Sequence, residues 1–369
     1  MTETIKRSFG RTFGGISLLL MSLTSPVRAQ SWNTAATRDT STKIKLWIYA
    51  EPYYAYDFNN PSSKNIPYLF NYSRQNEFSL NLAVIDLDYQ SPNVRSSLGI
   101  QTGSYAIADY SAEPSLYKNI YQAFAGVQIV PNLWLDAGVF QAHFGIETAL
   151  GKDQWTLTRS LCSENTPYFE TGLRASYIPS GPFSFTFFVL NGWQNIVDSN
   201  SNKALGTQIQ YTIADHLTLN SSTFFGNEKP DSARQWRFYH DFFAIWNVTE
   251  SFDLSGLFDV GWEQKAPSSN QYNDWYTFAL IGHFKLSPMF AASARVEQFT
   301  DPKSVLVVTG TPNGYQVLGY SVNLDYIVSP HATFRIEAKH YTSMDAIFIQ
   351  NGTAVSGSTI LTSSLAVSF

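Results

Sequence analysis

Cys162 is the only cysteine in the 369-residue chain, so no intrachain disulfide can form. The covalent stapling typical of small secreted scaffolds is thereby excluded. Charge is scarce too: Asp, Glu, Lys and Arg make up 14% of residues, against roughly 25% in ordinary soluble domains. Beyond the N-terminus no window holds the ~18 consecutive apolar residues of a membrane-spanning helix. No GxSxG, HExxH, CxxC or Walker sequence is present, so the hydrolytic, metalloprotease, redox and nucleotide chemistries those motifs carry find no support. Ser, His and Asp all occur, yet nothing in the sequence places them together.

What the chain has instead is aromatic and uncharged polar character. Tyr (21) and Phe (27) are abundant, and Ser, Thr, Asn and Gln supply most of the polarity, a profile of half-buried strands. Length alone allows two domains or one long barrel. At the N-terminus a basic region (Lys6, Arg7, Arg11), a short apolar run (16–23) and VRA ending at Ala29 form a secretory signal pattern. The run is too short to anchor as a spanning helix, and no Cys follows the cut for lipidation. The domain expectation is a leader over 1–29, a short polar lead over 30–42 and a barrel over 43–369. Losing the leader removes Glu3 and four basic residues (Lys6, Arg7, Arg11, Arg28), which moves the formal charge from −5 to about −8. That balance gives no basic patch for nucleic acid.

An exported, uncrosslinked chain without spanning helices retains one membrane option, the closed β-barrel. About sixteen strands of roughly ten residues are expected, at 43–58, 78–90, 94–105, 117–129, 133–144, 169–178, 183–190, 205–213, 217–226, 237–248, 252–264, 275–286, 290–300, 315–327, 332–341 and 359–369. Every second connector is a tight turn: SPN at 91, VPN at 130, PSGP at 179, ADH at 214, TES at 249, SPM at 287, SPH at 329. The alternate connectors are long and polar, for example 59–77, 191–204, 265–274, 301–314 and 343–358. Strict alternation of this kind is the mark of an all-β, up-and-down outer-membrane barrel with short periplasmic turns and long extracellular loops. A soluble sandwich has no reason to gather its long loops at one end, and a propeller would show a repeat period, which is absent.

Period two within strands gives the faces. Phe334, Ile336 and Ala338 alternate with Arg335, Glu337 and Lys339; Ala292, Ala294 and Val296 alternate with Ser293, Arg295 and Glu297. In a barrel the apolar set faces lipid and the polar set faces a lumen. Two strands break the pattern: Leu82 and Val84 share parity with Asp86, and Trp134 and Phe140 share it with Asp136. Either a bulge or a wall lying under an inserted loop would account for them. Tyr53, Tyr54, Tyr56, Tyr89, Trp246, Trp262, Tyr326 and Tyr341 fall towards strand ends, as interfacial belts do. The last strand ends on Phe369, in phase with Leu361, Leu365 and Val367, which resembles the C-terminal assembly signal of bacterial outer-membrane proteins read by the barrel-assembly machinery.

The run NIYQAFAGVQIVPNLWLDAGVFQAHFGIETALGKDQWTLTRSL, followed by PYFETGLRASY, spans residues 119–177 and resembles the OmpL-like β-barrel porin family (beta-barrel porin-2) of Gram-negative bacteria. The resemblance implies an outer-membrane channel and brings no catalytic residues. The functional expectation is passive diffusion of small hydrophilic solutes or ions, without enzymatic activity, cofactor or metal. The alternative is a non-conducting barrel whose loops bind a partner, and a homo-oligomer is compatible with either. Lumen-lining residues are expected at Arg95, Asp136, Arg174, Asp259, Arg295, Glu297, Arg335, Glu337 and Lys339. His143 and Glu147 stand four apart, but a strand end offers no helix to make them a ligand pair.

The longest interruption, 145–168, carries Glu147, Lys152, Asp153, Arg159 and Glu164 among Trp155, Leu157, Leu161 and Cys162. An irregular insert of that length is functional or disordered, and this one is not disorder-like. Lying between the fifth and sixth strands, it is expected to fold into the bore as a constriction. Trp155, Leu157 and Leu161 would then pack on the wall, and Lys152, Asp153, Arg159 and Glu164 would face the water path. An ordinary extracellular loop is the other reading.

Overall fold

The computed structural model describes residues 42–369. The expected leader at 1–29, and the lead up to residue 41, lie outside the described residues. Sixteen antiparallel strands follow one another round a closed barrel, the last paired with the first. They are β1 (Lys43–Asp57), β2 (Phe78–Gln90), β3 (Val94–Thr102), β4 (Ile120–Val130), β5 (Leu133–Gln141), β6 (Phe169–Tyr177), β7 (Phe183–Leu190) and β8 (Ala204–Ile213). The second half comprises β9 (Leu217–Asn227), β10 (Trp236–Thr249), β11 (Phe252–Gln264), β12 (Tyr272–Lys285), β13 (Phe290–Asp301), β14 (Tyr315–Ser329), β15 (Ala332–Ser343) and β16 (Gly357–Ser368). Closure is secured where Ile48 and Phe369 exchange backbone hydrogen bonds of 2.8 and 3.0 Å. The Phe369 ring stays outside, 68% exposed.

The inside–outside division follows the pleat. Phe334, Leu318 and Leu324 are exposed on the outer surface, while Arg335, Glu337 and Lys339 are buried on the inner one. A soluble protein would hide the apolar set; here it forms the outer wall, the arrangement a hydrocarbon solvent demands. Of the aromatic belt, Trp246, Trp262 and Tyr326 lie outside, but Tyr53 and Tyr341 are buried inward. Their positions agree with parity, since Tyr341 shares its face with Arg335, Glu337 and Lys339.

The two irregular strands are explained by packing. Leu82 and Val84 point inward into a cluster with Tyr105, Tyr110, Leu150 and Tyr168, and Phe140 joins a second cluster with Leu157, Leu161 and Tyr72. These apolar inward residues meet loop side chains, so an apolar wall there carries no exposure cost. Strand ends differ from expectation at β3 and β5. After Thr102 the chain turns at Gly103 (φ +137°), where a Cβ would lie 2.2 Å from the Asn81 carbonyl oxygen. Tyr105 then belongs to a short helix α1 (Ser104–Asp109), its ring edge-on to Tyr110 and Tyr168.

Three of the long connectors pack on one another, whereas most of 265–271 is exposed. From 58–77, Ile66, Leu69 and Tyr72 are buried; from 302–314 and 344–356, Val307, Ile347 and Phe348 join them in one cluster. A short hairpin, Phe348–Gln350 with Thr353–Val355, forms within the last loop.

Candidate functional site in the barrel lumen

The segment 142–168 leaves β5 and crosses the interior. At one end the Gly145 N–H donates to Asp241 Oδ2 on β10 (3.1 Å); towards the other the Cys162 thiol donates to Asp259 on β11. Between them the wall reaches in. Arg295 Nη1 donates to Thr156 Oγ1 (2.5 Å) and the Thr158 carbonyl (2.7 Å). Asn323 Oδ1 accepts from the Leu157 amide (3.2 Å), Glu337 from the Thr158 amide and hydroxyl, and Glu297 from the Leu161 amide. Arg335 donates to the carbonyls of Gly151 and Gln154 (2.5 and 2.9 Å), and Lys339 to that of Arg159 (2.7 Å). A segment with almost no secondary structure leaves its peptide groups unpaired. The alternating polar face of β10–β15 supplies the partners.

That arrangement fixes the fate of the expected lumen residues. Asp259, Arg295, Glu297, Arg335, Glu337 and Lys339 all face inward but meet the inserted segment, and each is buried. Asp259 is held by the Cys162 thiol and the Tyr239 hydroxyl; the others form ion pairs: Arg295 lies 3.3 Å from Glu337 and 3.4 Å from Glu297, Lys339 3.5 Å from Glu297, and Arg335 2.7 Å from Asp325. Charges that lose water need such partners or hydrogen bonds in its place.

Within the segment, Leu157 and Leu161 are fully buried against the wall, and Trp155 stacks on His283 at 5.5 Å. Of the charged residues, Lys152 and Asp153 keep about a third of their side chains exposed and bond to each other at 2.6 Å. Arg159 and Glu164 differ from the expectation of facing water. The Arg159 guanidinium is buried, donating to the carbonyls of Thr148, Leu157 and Ala149 and facing the Tyr72 ring at 5.9 Å. Glu147 accepts from the Ser160 amide (2.9 Å), the Ser160 and Ser163 hydroxyls and Arg295. His143 and Glu147 are not partners: His143 Nδ1 lies 2.8 Å from Glu170 and Nε2 3.0 Å from the Thr223 carbonyl.

Glu164 Oε2 accepts from the Phe70 amide (2.7 Å), tying the segment to the first loop. Burial pushes its carboxyl up from 4.5 to about 7, against the lowering pull of those amide bonds. Asp109, at the end of α1, is likewise raised by burial to about 7. Each folded form thus holds its proton more tightly than the unfolded chain does. Their contribution is full below the unfolded values, 4.5 for Glu164 and 3.8 for Asp109, and is lost as pH rises towards 7. For Glu164 the loss is on the order of 3 kcal/mol. Denaturant midpoints of the folded barrel should therefore fall from pH 4.5 to 7.5, with a shallower fall in Glu164→Gln; identical slopes would exclude Glu164 as a source.

The remaining expected residues lie on the opposite wall. Asp136 on β5 takes a two-point contact from Arg95 on β3 (2.7 and 2.6 Å) and a third bond from Arg174 Nε on β6 (2.9 Å). Between this wall and the inserted segment lies a recess with a cavity volume of about 80 Å³, lined by Arg95, Gln122, Arg174, Thr186, Gln208 and Gln210 among others.

Residues 43–369 match the model of the family described as "Putative beta-barrel porin-2, OmpL-like". The chain belongs to this porin family. A comparison with curated protein sequences gives no match. Among solved structures, the chain is similar to an anion-selective porin from Comamonas acidovorans (9% identity, 89% of this chain and 100% of that one, TM-score 0.61). It is also similar to OmpT of Vibrio cholerae (8%, 91% and 100%, 0.57) and to the channel DcaP of Acinetobacter baumannii (9%, 91% and 99%, 0.56). Identities this low speak for the barrel fold alone. The family and fold place this porin among bacterial outer-membrane proteins.

Several contributors to the site escape sequence reading. Glu51 gathers Tyr49, Tyr72, Asn81 and Ser364 around its carboxylate, and Asn323 holds the Leu157 amide. Glu51 and Asn323 both sit at inward parity, which was the available signal. That their partners come from loops was not.

Proposed function

We propose that this porin conducts small hydrophilic solutes or ions passively across the outer membrane. The observation that carries the reading is a sixteen-strand barrel, apolar outside, whose inner face is charged and polar at nearly every strand and is narrowed by an inserted segment. Sixteen strands enclose more space than side chains alone fill, and here loop 142–168 occupies much of the remainder. Permeation then runs beside the segment, past the partly exposed Lys152–Asp153 pair and through the recess beneath Arg95 and Arg174. Arg159, Glu147 and Glu164 act by holding the constriction's shape rather than by touching solute. The chain needs no catalytic group or cofactor for this task. Export by the 1–29 leader, insertion through the strand ending at Phe369, and self-association belong to the same reading.

The test is conductance of the purified, folded protein in planar bilayers. Discrete steps of current are expected, with a reversal potential in a salt gradient. Folded, bilayer-inserted protein that passes no current would return the chain to the alternative of a loop-binding barrel.

A further inference from the structure

Most charged groups of the lumen are consumed by one another or by the inserted segment; the Asp136 cluster is an exception. One carboxylate there faces two guanidiniums, so the group carries a net positive charge. Arg95 binds Asp136 through Nε and Nη2 together. Arg174 commits only Nε, and its Nη2 is buried without a hydrogen-bond partner among the described residues. Both guanidiniums have aromatic rings against their faces, Trp134 at 4.6 Å from Arg95 and Phe140 at 4.6 Å from Arg174. Stacking of this kind fixes orientation and leaves only the edges to bond.

The charges around the recess do not cancel the excess. Glu147 is held by Ser160, Ser163 and Arg295. The His143–Glu170 pair is neutral as a unit. Nε2 faces a carbonyl and so carries a proton; the shared proton at Nδ1 makes either imidazolium with carboxylate or imidazole with carboxylic acid. Asp86, on β2 beside the strand of Arg95, is not part of the recess lining and turns its carboxylate to Ser97 and Gln122. Thr186, Gln208 and Gln210 on the same wall are neutral.

We propose that this recess is an anion-binding station on the permeation path, where the free edge of Arg174, backed by Arg95, receives a small oxyanion of the carboxylate or phosphate type. A planar guanidinium edge matches two oxygens of such a group, and the Gln and Thr side chains opposite suit its hydroxyl or remaining oxygens. The assignment rests on the channel reading for its place on a path, but not for binding itself. It predicts local anion preference in a chain whose overall charge is acidic.

Two measurements separate the claims. Calorimetry with inorganic phosphate on the folded barrel reads the site without conduction, and reversal potentials in bilayers read selectivity. Wild type should bind phosphate, and phosphate should reduce the chloride current in a saturable manner. Arg174→Gln should weaken both at least tenfold and shift the reversal potential towards cation preference, and Arg174→Lys should retain part of each. Should Arg174→Gln fail to fold, Thr186→Glu leaves the arginine cluster intact and fills the recess with negative charge; it should produce the same loss. Phosphate binding and reversal potential unchanged in a folded variant would overturn the assignment. Binding without any current would keep the station and sink the channel.

Discussion

Arg295→Ala is expected to release the inserted segment and raise single-channel conductance several-fold. The side chain lies at the centre of the clasp, fully buried, donating to Thr156, Thr158 and Glu337 and within 3.4 Å of Glu147 and Glu297. Removing it leaves Glu147, Glu297 and Glu337 facing one another with only Lys339 to balance Glu297, and it leaves the Thr158 carbonyl with the Thr156 hydroxyl alone. Breaking a buried ionic network by deleting one partner costs roughly 3–5 kcal/mol. The barrel ladder does not depend on Arg295, so the cheapest relief is for the segment to leave the wall and let water reach the carboxylates. Bilayer recordings should show larger, noisier steps, and limited proteolysis should cut within 148–160. Conductance and protection equal to the parent would mean that other contacts hold the segment unaided. Arg295→Lys, which keeps the charge but loses the fork, should fall between.

Asp136→Ala should destabilise the barrel by about 3–5 kcal/mol. Asp136 is wholly buried between side chains of Arg95 and Arg174 that are themselves about nine-tenths buried, so its loss leaves two guanidiniums without their counter-charge. Denaturant unfolding of the reconstituted protein measures the change. In whatever fraction folds, the same loss should strengthen anion preference, because the recess then carries a second uncompensated positive charge. Lower stability together with a reversal potential displaced towards the anion is the expected pair of results. A folded variant displaced towards the cation would contradict the charge balance drawn for the recess. Gly126, the cross-strand neighbour of Asp136, admits the carboxylate because it lacks a Cβ, which would stand 2.0 Å from Asp136 Oδ1.

The fold was largely legible because a transmembrane strand is a local object. Its length, its period-two alternation and the turn chemistry of its short connectors are written within a dozen residues. For that reason β2, β7 and β11 have the bounds expected from sequence, and Phe334, Ile336 and Ala338 separate from Arg335, Glu337 and Lys339 as their parity dictates. The inward direction of Asp136, Arg174 and Arg295 was open to the same reading. Where local rules misled, loops were responsible: Leu82, Val84 and Phe140 break the alternation because loop side chains cover them, and Tyr105 left its strand to join that cover.

The sequence by itself determined that 145–168 interrupts the barrel with a mixture of apolar and charged residues too ordered in character for a linker. Tertiary structure alone decided what each charge does. Arg159, expected beside the water path, spends its hydrogen bonds on carbonyls of its own segment, Glu164 on amides of the first loop, and Lys152 with Asp153 keeps the exposure. Pairings such as Arg295 with Thr158, or Lys339 with the Arg159 carbonyl, join residues more than a hundred positions apart. No periodicity encodes them. They follow from closing the sheet, which brings a polar wall opposite a segment whose backbone has no other partner.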